Sequence, residues 1–180
     1  MTTTERPVPG PALPFFVYGT LRPGGTYHDP YLRGSTSAEE PGRLVGAVLY
    51  EGPGYPYAVE TPDTRTIHGE LITARPAAYA RVLAALDRLE EFTTPGDPGN
   101  LYERVVRAVH RADGTTVRAW VYLAAPHVEA RLLATGTLIT SGDWRTAEAA
   151  QAPRATGAPR ATGAPPAPQA PQVPDGPRTP

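Results

Sequence analysis

The sequence predicts an α+β fold in which several antiparallel strands form a barrel or a strongly curved sheet around one main helix. Three observations support this prediction. Short strand-like segments separated by turn residues fill the first half of the chain, an amphipathic helix follows at about residues 75–92, and a hairpin turn stands at Ala112-Asp113-Gly114. One main helix among many strands therefore indicates the α+β class.

The strands of the first half are predicted from short apolar runs that are bounded by turn residues. The first of these runs is aromatic or β-branched at every position and suits a buried strand. The predicted strands cover residues 15–17, 42–50, 58–60 and 68–73.

A glycine-rich turn follows the first strand directly, in the segment FFVYGTLRPGG at residues 15–25. Gly19, Gly24 and Gly25 permit backbone conformations that are closed to other residues. A strand that ends in such a turn can present backbone N–H groups to a ligand. Dipeptides of this kind also form ordinary tight turns, so the segment alone leaves both interpretations open.

A helix is predicted from residue 75 to about residue 92, because Pro76 suits its first turn and strong helix formers follow. On a wheel of 100° per residue with Leu86 at zero, the apolar side chains fall within about 60° of Leu86. They form the stripe that we expect to face the core, namely Tyr79, Val82, Leu83 and Leu89.

Glu90 is the one carboxylate that falls inside this apolar stripe, at about 40° on the same wheel. Asp87, Arg88 and Glu91 fall at about 100°, 200° and 140°, where solvated charges belong. A carboxyl group that points inward loses hydration and binds its proton more tightly, as a general base requires. The alternative is an end-of-helix side chain that turns out to solvent or pairs with Arg22 or Arg104.

The second half of the chain is predicted to form a hairpin, a short helix and a closing turn. Strands at 101–111 and 115–124 flank the Asp-Gly step, which is a strong hairpin signal. A short helix is expected from about residue 127 to residue 135. Residues 137–145 are predicted as an extended stretch and a turn.

The composition predicts one ordered domain, residues 15–147, between two disordered ends. Residues 1–14 contain four prolines and no periodic apolar pattern, so we expect a loose leader. Residues 148–180 form a Pro/Ala-rich tail whose few apolar side chains cannot offset the entropy of ordering. The tail is expected to be a solvated linker, with a polyproline-binding partner as the alternative.

Charge and composition exclude several classes of function. A formal net charge of −1 without a basic cluster argues against nucleic acid as a partner. The chain has no cysteine, no secretory signal and no run of about 20 apolar residues, so we expect a cytoplasmic protein without disulfides or membrane spans. Its expected partners are small molecules or proteins, and the oligomeric state stays open.

Other catalytic patterns are incomplete. The four histidines have no metal-ligand spacing, and no serine stands in a G-x-S-x-G motif, so we expect neither a metal site nor a nucleophilic serine. The turn at 19–26 is similar to a phosphate-binding loop, but glycine stands where the loop requires lysine. Nucleotide hydrolysis is therefore a weak alternative, and no cofactor is expected.

Five short motifs, taken together and in order, resemble the gamma-glutamylcyclotransferase-like family, and the last of them resembles its small bacterial, AIG2-like members. Each motif is unspecific alone, and the resemblance covers about residues 15–145. The motifs are YGTL at 18–21, LDRLEE at 86–91, LYERV at 101–105, AWVYL at 119–123 and SGDW at 141–144.

The resemblance implies a small mixed, mostly antiparallel β-barrel with one main helix, and an enzyme that releases 5-oxoproline from gamma-glutamyl amines, dipeptides or isopeptides. It implies that Glu90 is the catalytic residue and that six other residues bind the substrate. Four of them form the loop whose backbone holds the glutamyl group, and two tyrosines line the pocket: Tyr18, Gly19, Thr20, Leu21, Tyr102 and Tyr122.

Two departures from the family pattern fall near the implied site. The family often has glycine after the catalytic glutamate, whereas this chain has Glu91. Glu91 lies about 100° further around the helix than Glu90, so we expect its side chain to point away from the pocket. An insertion, TTPGDPGN at 93–100, lengthens the loop before Tyr102. Specificity for the leaving amine is expected in the loops at 26–34, 52–57 and 93–100.

The implied reaction is intramolecular, because the α-amino group of the substrate attacks its own γ-carbonyl group. Glu90 would act as general acid and base, and the amides of residues 19–21 would hold the carboxylate or the carbonyl oxygen. One alternative is a non-catalytic module that binds an amino-acyl ligand in the same pocket. Another is a scaffold that acts through its proline-rich tail.

Overall fold

The computed structural model describes residues 12–151, so most of the predicted leader and tail lies outside the described residues. A 3-10 turn, Pro76–Ala78, precedes the main helix. The strands are β1 Phe15–Val17, β2 Thr36–Val45, β3 Ala47–Glu51, β4 Pro56–Glu60, β5 Thr66–Ala74, β6 Tyr102–Arg111, β7 Thr116–Ala124 and β8 Leu138–Ile139. The helices are α1 His28–Leu32, α2 Tyr79–Leu89, α3 Pro126–Thr135 and α4 Trp144–Gln151.

Five strands form a closed barrel in the order β1-β5-β2-β6-β7. The neighbouring pairs are antiparallel except at the closure, where β1 runs parallel to β7 and Phe15 lies beside Trp120. The predicted α+β class and the mostly antiparallel barrel are confirmed. The predicted hairpin is also confirmed as β6 and β7, with Gly114 in the turn at φ 85°.

A second, three-stranded sheet has the order β4-β3-β8 and packs against the barrel. The prediction of one strand at 42–50 was wrong, because the chain breaks there into β2 and β3. Gly46 lies at the break with φ 80°, a left-handed conformation that favours glycine. The break lets β2 stay in the barrel while β3 starts the second sheet.

The predicted apolar stripe of the main helix is confirmed. Val82 and Leu86 are buried, and Tyr79, Leu83 and Leu89 are partly buried against the same core. The predicted end at about residue 92 was wrong, because α2 ends at Leu89 and Glu90 forms its C-terminal cap.

The core has two apolar clusters on opposite faces of the barrel wall. On β1, Phe15 and Val17 pack in the cluster under α2, whereas Phe16 packs in the other cluster. On β7, Trp120 and Tyr122 share the face toward α2, as the alternation of the strand predicted. Both strands are buried on two sides, which accounts for their nearly continuous apolar sequences.

Two helices were not predicted. Helix α1 lies within the loop at 26–34, and α4 follows the SGDW motif and continues to Gln151, past the predicted domain end at 147. Trp144 at the start of α4 is 3% exposed and packs into the barrel cluster. No helix of residues 12–151 is long and apolar enough to cross a membrane.

Candidate active site

A cavity of about 190 Å³ opens where β1 ends, between the glycine-rich turn and the end of α2. It is small beside the roughly 300–1,000 Å³ of pockets for drug-sized ligands, so its size suits a group like an amino acid. All seven residues implied by the sequence resemblance line it: Tyr18, Gly19, Thr20, Leu21, Glu90, Tyr102 and Tyr122.

The glycine-rich turn is shaped more by close contacts than by unusual dihedral angles. Of its three glycines, only Gly24 has a positive φ, 83°. A Cβ atom at Gly19 would approach the Pro56 ring to 2.8 Å, and one at Gly25 would approach the Thr20 carbonyl oxygen to 2.4 Å. These two positions need glycine for space, which lets the turn fold tightly against β4.

Three consecutive backbone amides of this turn donate no hydrogen bond within the described residues. They are the N–H groups of Gly19, Thr20 and Leu21. The turn is nevertheless closed by other bonds, from the Arg22 amide to the Gly19 carbonyl at 3.1 Å and from the Tyr27 amide to the Thr20 carbonyl at 3.0 Å. A fixed turn with free donors beside a cavity suits an anionic or carbonyl oxygen.

The Glu90 side chain lines the cavity from the end of α2. Burial raises the pKa of its carboxyl group to about 8. No cation or hydrogen-bond donor in the described part of the chain engages this carboxyl group. The two arginines considered as partners are occupied elsewhere, since Arg22 binds Glu70 and Arg104 binds Asp87.

The three tyrosines around Glu90 have hydroxyl groups that donate to the protein. Tyr18 donates to the carbonyl oxygen of Tyr122, and Tyr102 donates to that of Pro56 at 2.9 Å. Tyr122 donates to the Asp87 carboxylate at 2.7 Å. Burial is the main cause that raises the pKa of each hydroxyl, and the Glu90 charge adds to it. The tyrosines therefore stay neutral and leave the turn amides as the available donors.

Asp87 was missed by the sequence reasoning, which placed it among the solvated charges. Its carboxylate accepts from Tyr122 and also pairs with Arg104 at 3.0 Å. The Arg104 guanidinium lies 5.1 Å from the Phe92 ring centre and 4.6 Å from that of Trp120. The border position of Asp87 on the wheel, next to the apolar stripe, is a signal that its side chain reaches a partner at the edge of the core.

Glu91 occupies the position where the family often has glycine, and its φ is +50°. The amide of Phe92 donates to the Asp87 carbonyl at 2.8 Å, and the amide of Glu91 donates to that of Arg88 at 3.3 Å. This pair of bonds is a Schellman motif, which requires a left-handed residue after the helix cap. The turn is therefore the one that glycine would make, although a glutamate makes it.

The inserted loop at 93–100 is held by Asn100, which is 0% exposed. Its side chain accepts from the Thr93 amide at 2.8 Å and donates to the Thr94 carbonyl at 2.8 Å. The amide of Leu101 donates to the Glu91 carbonyl at 3.1 Å, so the insertion returns the chain to the cavity and β6 begins at Tyr102.

The loops expected to set specificity contribute unequally to the cavity. The loop at 26–34 contributes Tyr27, and the loop at 52–57 contributes Tyr55 and Pro56. The loop at 93–100 does not line it, whereas its neighbours Glu91 and Leu101 do.

No group of three or more side chains within residues 12–151 is arranged to hold a metal ion. One of the four histidines, His28, is buried in α1. Its ring contacts Asp29 at 3.2 Å and Glu39 at 3.1 Å.

The fold and the cavity together define a class: a small mixed-barrel domain with a pocket of amino-acid size between a buried carboxyl group and a turn of free amides. The chain belongs to the gamma-glutamyl cyclotransferase, AIG2-like family, whose model matches residues 15–146.

One relative is the gamma-L-glutamyl-butirosin B gamma-glutamyl cyclotransferase of Niallia circulans. It is 32% identical over 108 residues, which are 60% of this chain and 64% of the relative, less than two thirds of its length.

Two solved structures share the fold. YkqA from Bacillus subtilis is 23% identical with a TM-score of 0.57, and the match covers 79% of this chain and 43% of that one. An uncharacterized protein from Pyrococcus horikoshii is 23% identical with a TM-score of 0.51, and the match covers 78% of this chain and 98% of that one.

Proposed function

We propose that this protein is a gamma-glutamyl cyclotransferase that releases 5-oxoproline from a gamma-glutamyl amine, peptide or isopeptide, with Glu90 as general acid and base. The observation that carries the proposal is the Glu90 carboxyl group, which has no partner among the described residues and has a pKa raised to about 8 by burial at the cavity. Family membership and the activity in the name of the Niallia circulans relative support it.

The reaction needs a folded substrate, a proton acceptor and donors for a developing oxyanion. The substrate nitrogen bonds to the γ-carbonyl carbon, a five-membered lactam closes, and the bond to the leaving nitrogen breaks. Two protons leave the α-ammonium group and two reach the leaving amine, so the net reaction neither consumes nor releases a proton. No step requires an enzyme nucleophile or a cofactor.

Glu90 suits the proton transfers because its raised pKa approaches that of an α-ammonium group, about 8. A carboxylate with an ordinary pKa would be a poor acceptor for this proton. The carboxyl group would take a proton from the α-nitrogen and deliver it to the leaving nitrogen. Its isolation from cations keeps the pKa high.

The free amides of Gly19, Thr20 and Leu21 would bind the substrate's α-carboxylate or the carbonyl oxygen as it gains charge. Of the residues that line the described cavity, none is lysine, arginine or histidine, so the donors available for this role are the backbone amides and hydroxyl groups such as those of Thr20 and Tyr27. Tyr102 and Tyr122 would line the pocket. Their hydroxyl oxygens could accept hydrogen bonds from the ammonium group of the substrate.

The test is the Glu90→Gln variant, assayed with a panel of gamma-glutamyl compounds by mass spectrometry of 5-oxoproline. We expect at least a hundredfold loss of kcat, because glutamine keeps the shape and removes the base. Glu40→Gln is the matched control, since Glu40 lies outside the cavity and pairs with Arg111. Full turnover by Glu90→Gln would refute the assignment. Ligand binding without turnover by the unaltered protein would favour the non-catalytic module.

A further inference from the structure

Glu91 breaks two local rules at the mouth of the cavity. It has a left-handed φ of +50°, which costs an L-residue roughly 1–2 kcal/mol. It also places an anion at the C-terminal end of α2, where the helix dipole disfavours negative charge. Glycine or asparagine would make the same turn without either cost. A residue that opposes local stability at a cavity is a candidate for a functional role.

Glu91 is exposed and is one of the residues that line the cavity, although its position on the wheel predicted that it points away from the pocket. Among the described residues, it has no ion pair and its carboxylate accepts no hydrogen bond. Of the described residues that line the cavity, none carries a positive charge. The open side of the cavity therefore carries the negative charge of the Glu91 carboxylate, which no cationic lining residue compensates.

In the proposed function, the glutamyl group lies between the turn amides and Glu90 and takes the inner part of the cavity. The remainder of the substrate, which is the leaving amine, then has only the open side to occupy. Glu91 follows Glu90 directly in the chain but belongs to that open side, because its side chain is exposed. A charge on the leaving amine would consequently meet the Glu91 carboxylate.

We propose that Glu91 is a specificity-determining residue that favours gamma-glutamyl substrates whose leaving amine bears a second, positively charged group and disfavours those whose leaving amine bears a carboxylate. This inference rests on the proposed function, because it concerns the leaving-group side of the same site. The chemical class is that of gamma-glutamyl di- or polyamines, as opposed to gamma-glutamyl amino acids.

The experiment compares three substrates with the same glutamyl group and a four-carbon leaving amine: the gamma-glutamyl derivatives of 1,4-diaminobutane, butylamine and 4-aminobutanoate. For the unaltered protein, we expect kcat/KM to fall by about threefold at each step from the cationic to the neutral to the anionic substrate. Raising the salt from low to about 1 M should compress this order, because exposed charges are screened.

Glu91→Gln should bring the three kcat/KM values together, while Glu40→Gln, with the same change in net charge, should keep the original order. Turnover of the neutral substrate by the unaltered protein tests the proposed function separately. If none of the three is turned over but another compound of the gamma-glutamyl panel is, the inference about Glu91 is overturned; if no compound of the panel is turned over, the proposed function fails. If the three are turned over without the cationic preference, or if Glu91→Gln keeps it, the inference about Glu91 is overturned and the proposed function stands.

Discussion

Individual side chains at this site behave in ways that helical periodicity predicts only partly. The wheel placed Glu90 inside the apolar stripe, and the structure has its side chain lining a cavity with a pKa raised by burial. The same wheel treated Asp87 as solvated, whereas its carboxylate binds Tyr122 and Arg104. Helical periodicity predicts the direction of a side chain but not the residues that it contacts. The residues that contact Asp87 lie on β6 and β7, which are distant from it in sequence.

The raised pKa of Glu90 predicts the pH dependence of the proposed reaction. Glu90 accepts a proton only when ionised, and its pKa of about 8 leaves it mostly protonated at pH 6. We therefore expect kcat/KM to rise about tenfold per pH unit below pH 8 and to level off above it. A pH profile from 5 to 10 checks this expectation. A limb that levels off near pH 4.5, the ordinary value of the group, would contradict the burial of the carboxyl group.

Asp87 is predicted to be a positioning residue that acts through the Tyr122 hydroxyl group. Asp87→Asn should lower kcat by about tenfold and the free energy of unfolding by about 1–2 kcal/mol, because it removes a charged acceptor from a part-buried pair. Tyr122→Phe removes the same hydrogen bond from the other side. The double variant should then be little worse than either single variant in kcat, and simple addition of the two effects would contradict the role.

The end of α2 is the element on which the site depends most. A helix that continued to residue 92, as the sequence predicted, would carry Glu90 within regular helix and give Glu91 an ordinary helical φ. The Schellman turn stops the helix at Leu89 instead. Sequence reasoning could not place this stop, because its usual signal is a glycine and Glu91 stands there. The resemblance to a family with glycine was the one indication of a turn.

Glu91→Gly is predicted to stabilise the protein. The substitution relieves a left-handed conformation, worth roughly 1–2 kcal/mol, and loses about 0.5–1 kcal/mol to the greater freedom of glycine in the unfolded chain. We expect a net gain of about 0.5–1 kcal/mol in the free energy of unfolding, measured by urea denaturation. Glu91→Ala is the matched control, since it removes the carboxylate but keeps the positive φ. An equal gain in both variants would attribute the cost to charge rather than to backbone strain.

The complete fold brings together segments that are far apart in sequence. The sequence predicted these long-range contacts least well. Alternation and turn signals predicted the strands, and the family resemblance implied the barrel. The parallel closure of β1 on β7 has no local signal, because it depends on how the sheet curls. Helix α4 was also missed, since its anchor, Trp144, is buried by packing against the distant barrel cluster.

Arg22 links the glycine-rich turn to two distant parts of the fold. Its guanidinium binds Glu70 on β5 at 2.6 Å and Asp143 before α4 at 2.6 Å. The Arg22 residue as a whole is 5% exposed. Arg145 adds a contact to Glu70 at 3.4 Å and donates to the Pro23 carbonyl at 2.6 Å. The free amides of the turn are therefore held in place by a network that only the complete fold assembles.

Arg22→Met is predicted to separate the stabilising role of this network from its role at the cavity. Removing the guanidinium leaves the largely buried Glu70 with only its longer contact to Arg145 at 3.4 Å, which should cost up to about 3 kcal/mol in the free energy of unfolding. Adding Glu70→Leu should restore most of that stability, because the apolar side chains at positions 22 and 70 then replace the buried ion pair. The double variant would still lack the anchor of the turn, so KM for a gamma-glutamyl substrate should stay about tenfold higher while the pH profile of kcat is unchanged. Urea denaturation and steady-state kinetics on both variants measure the two effects. An ordinary KM in the restored double variant would mean that the turn holds its amides in place without Arg22.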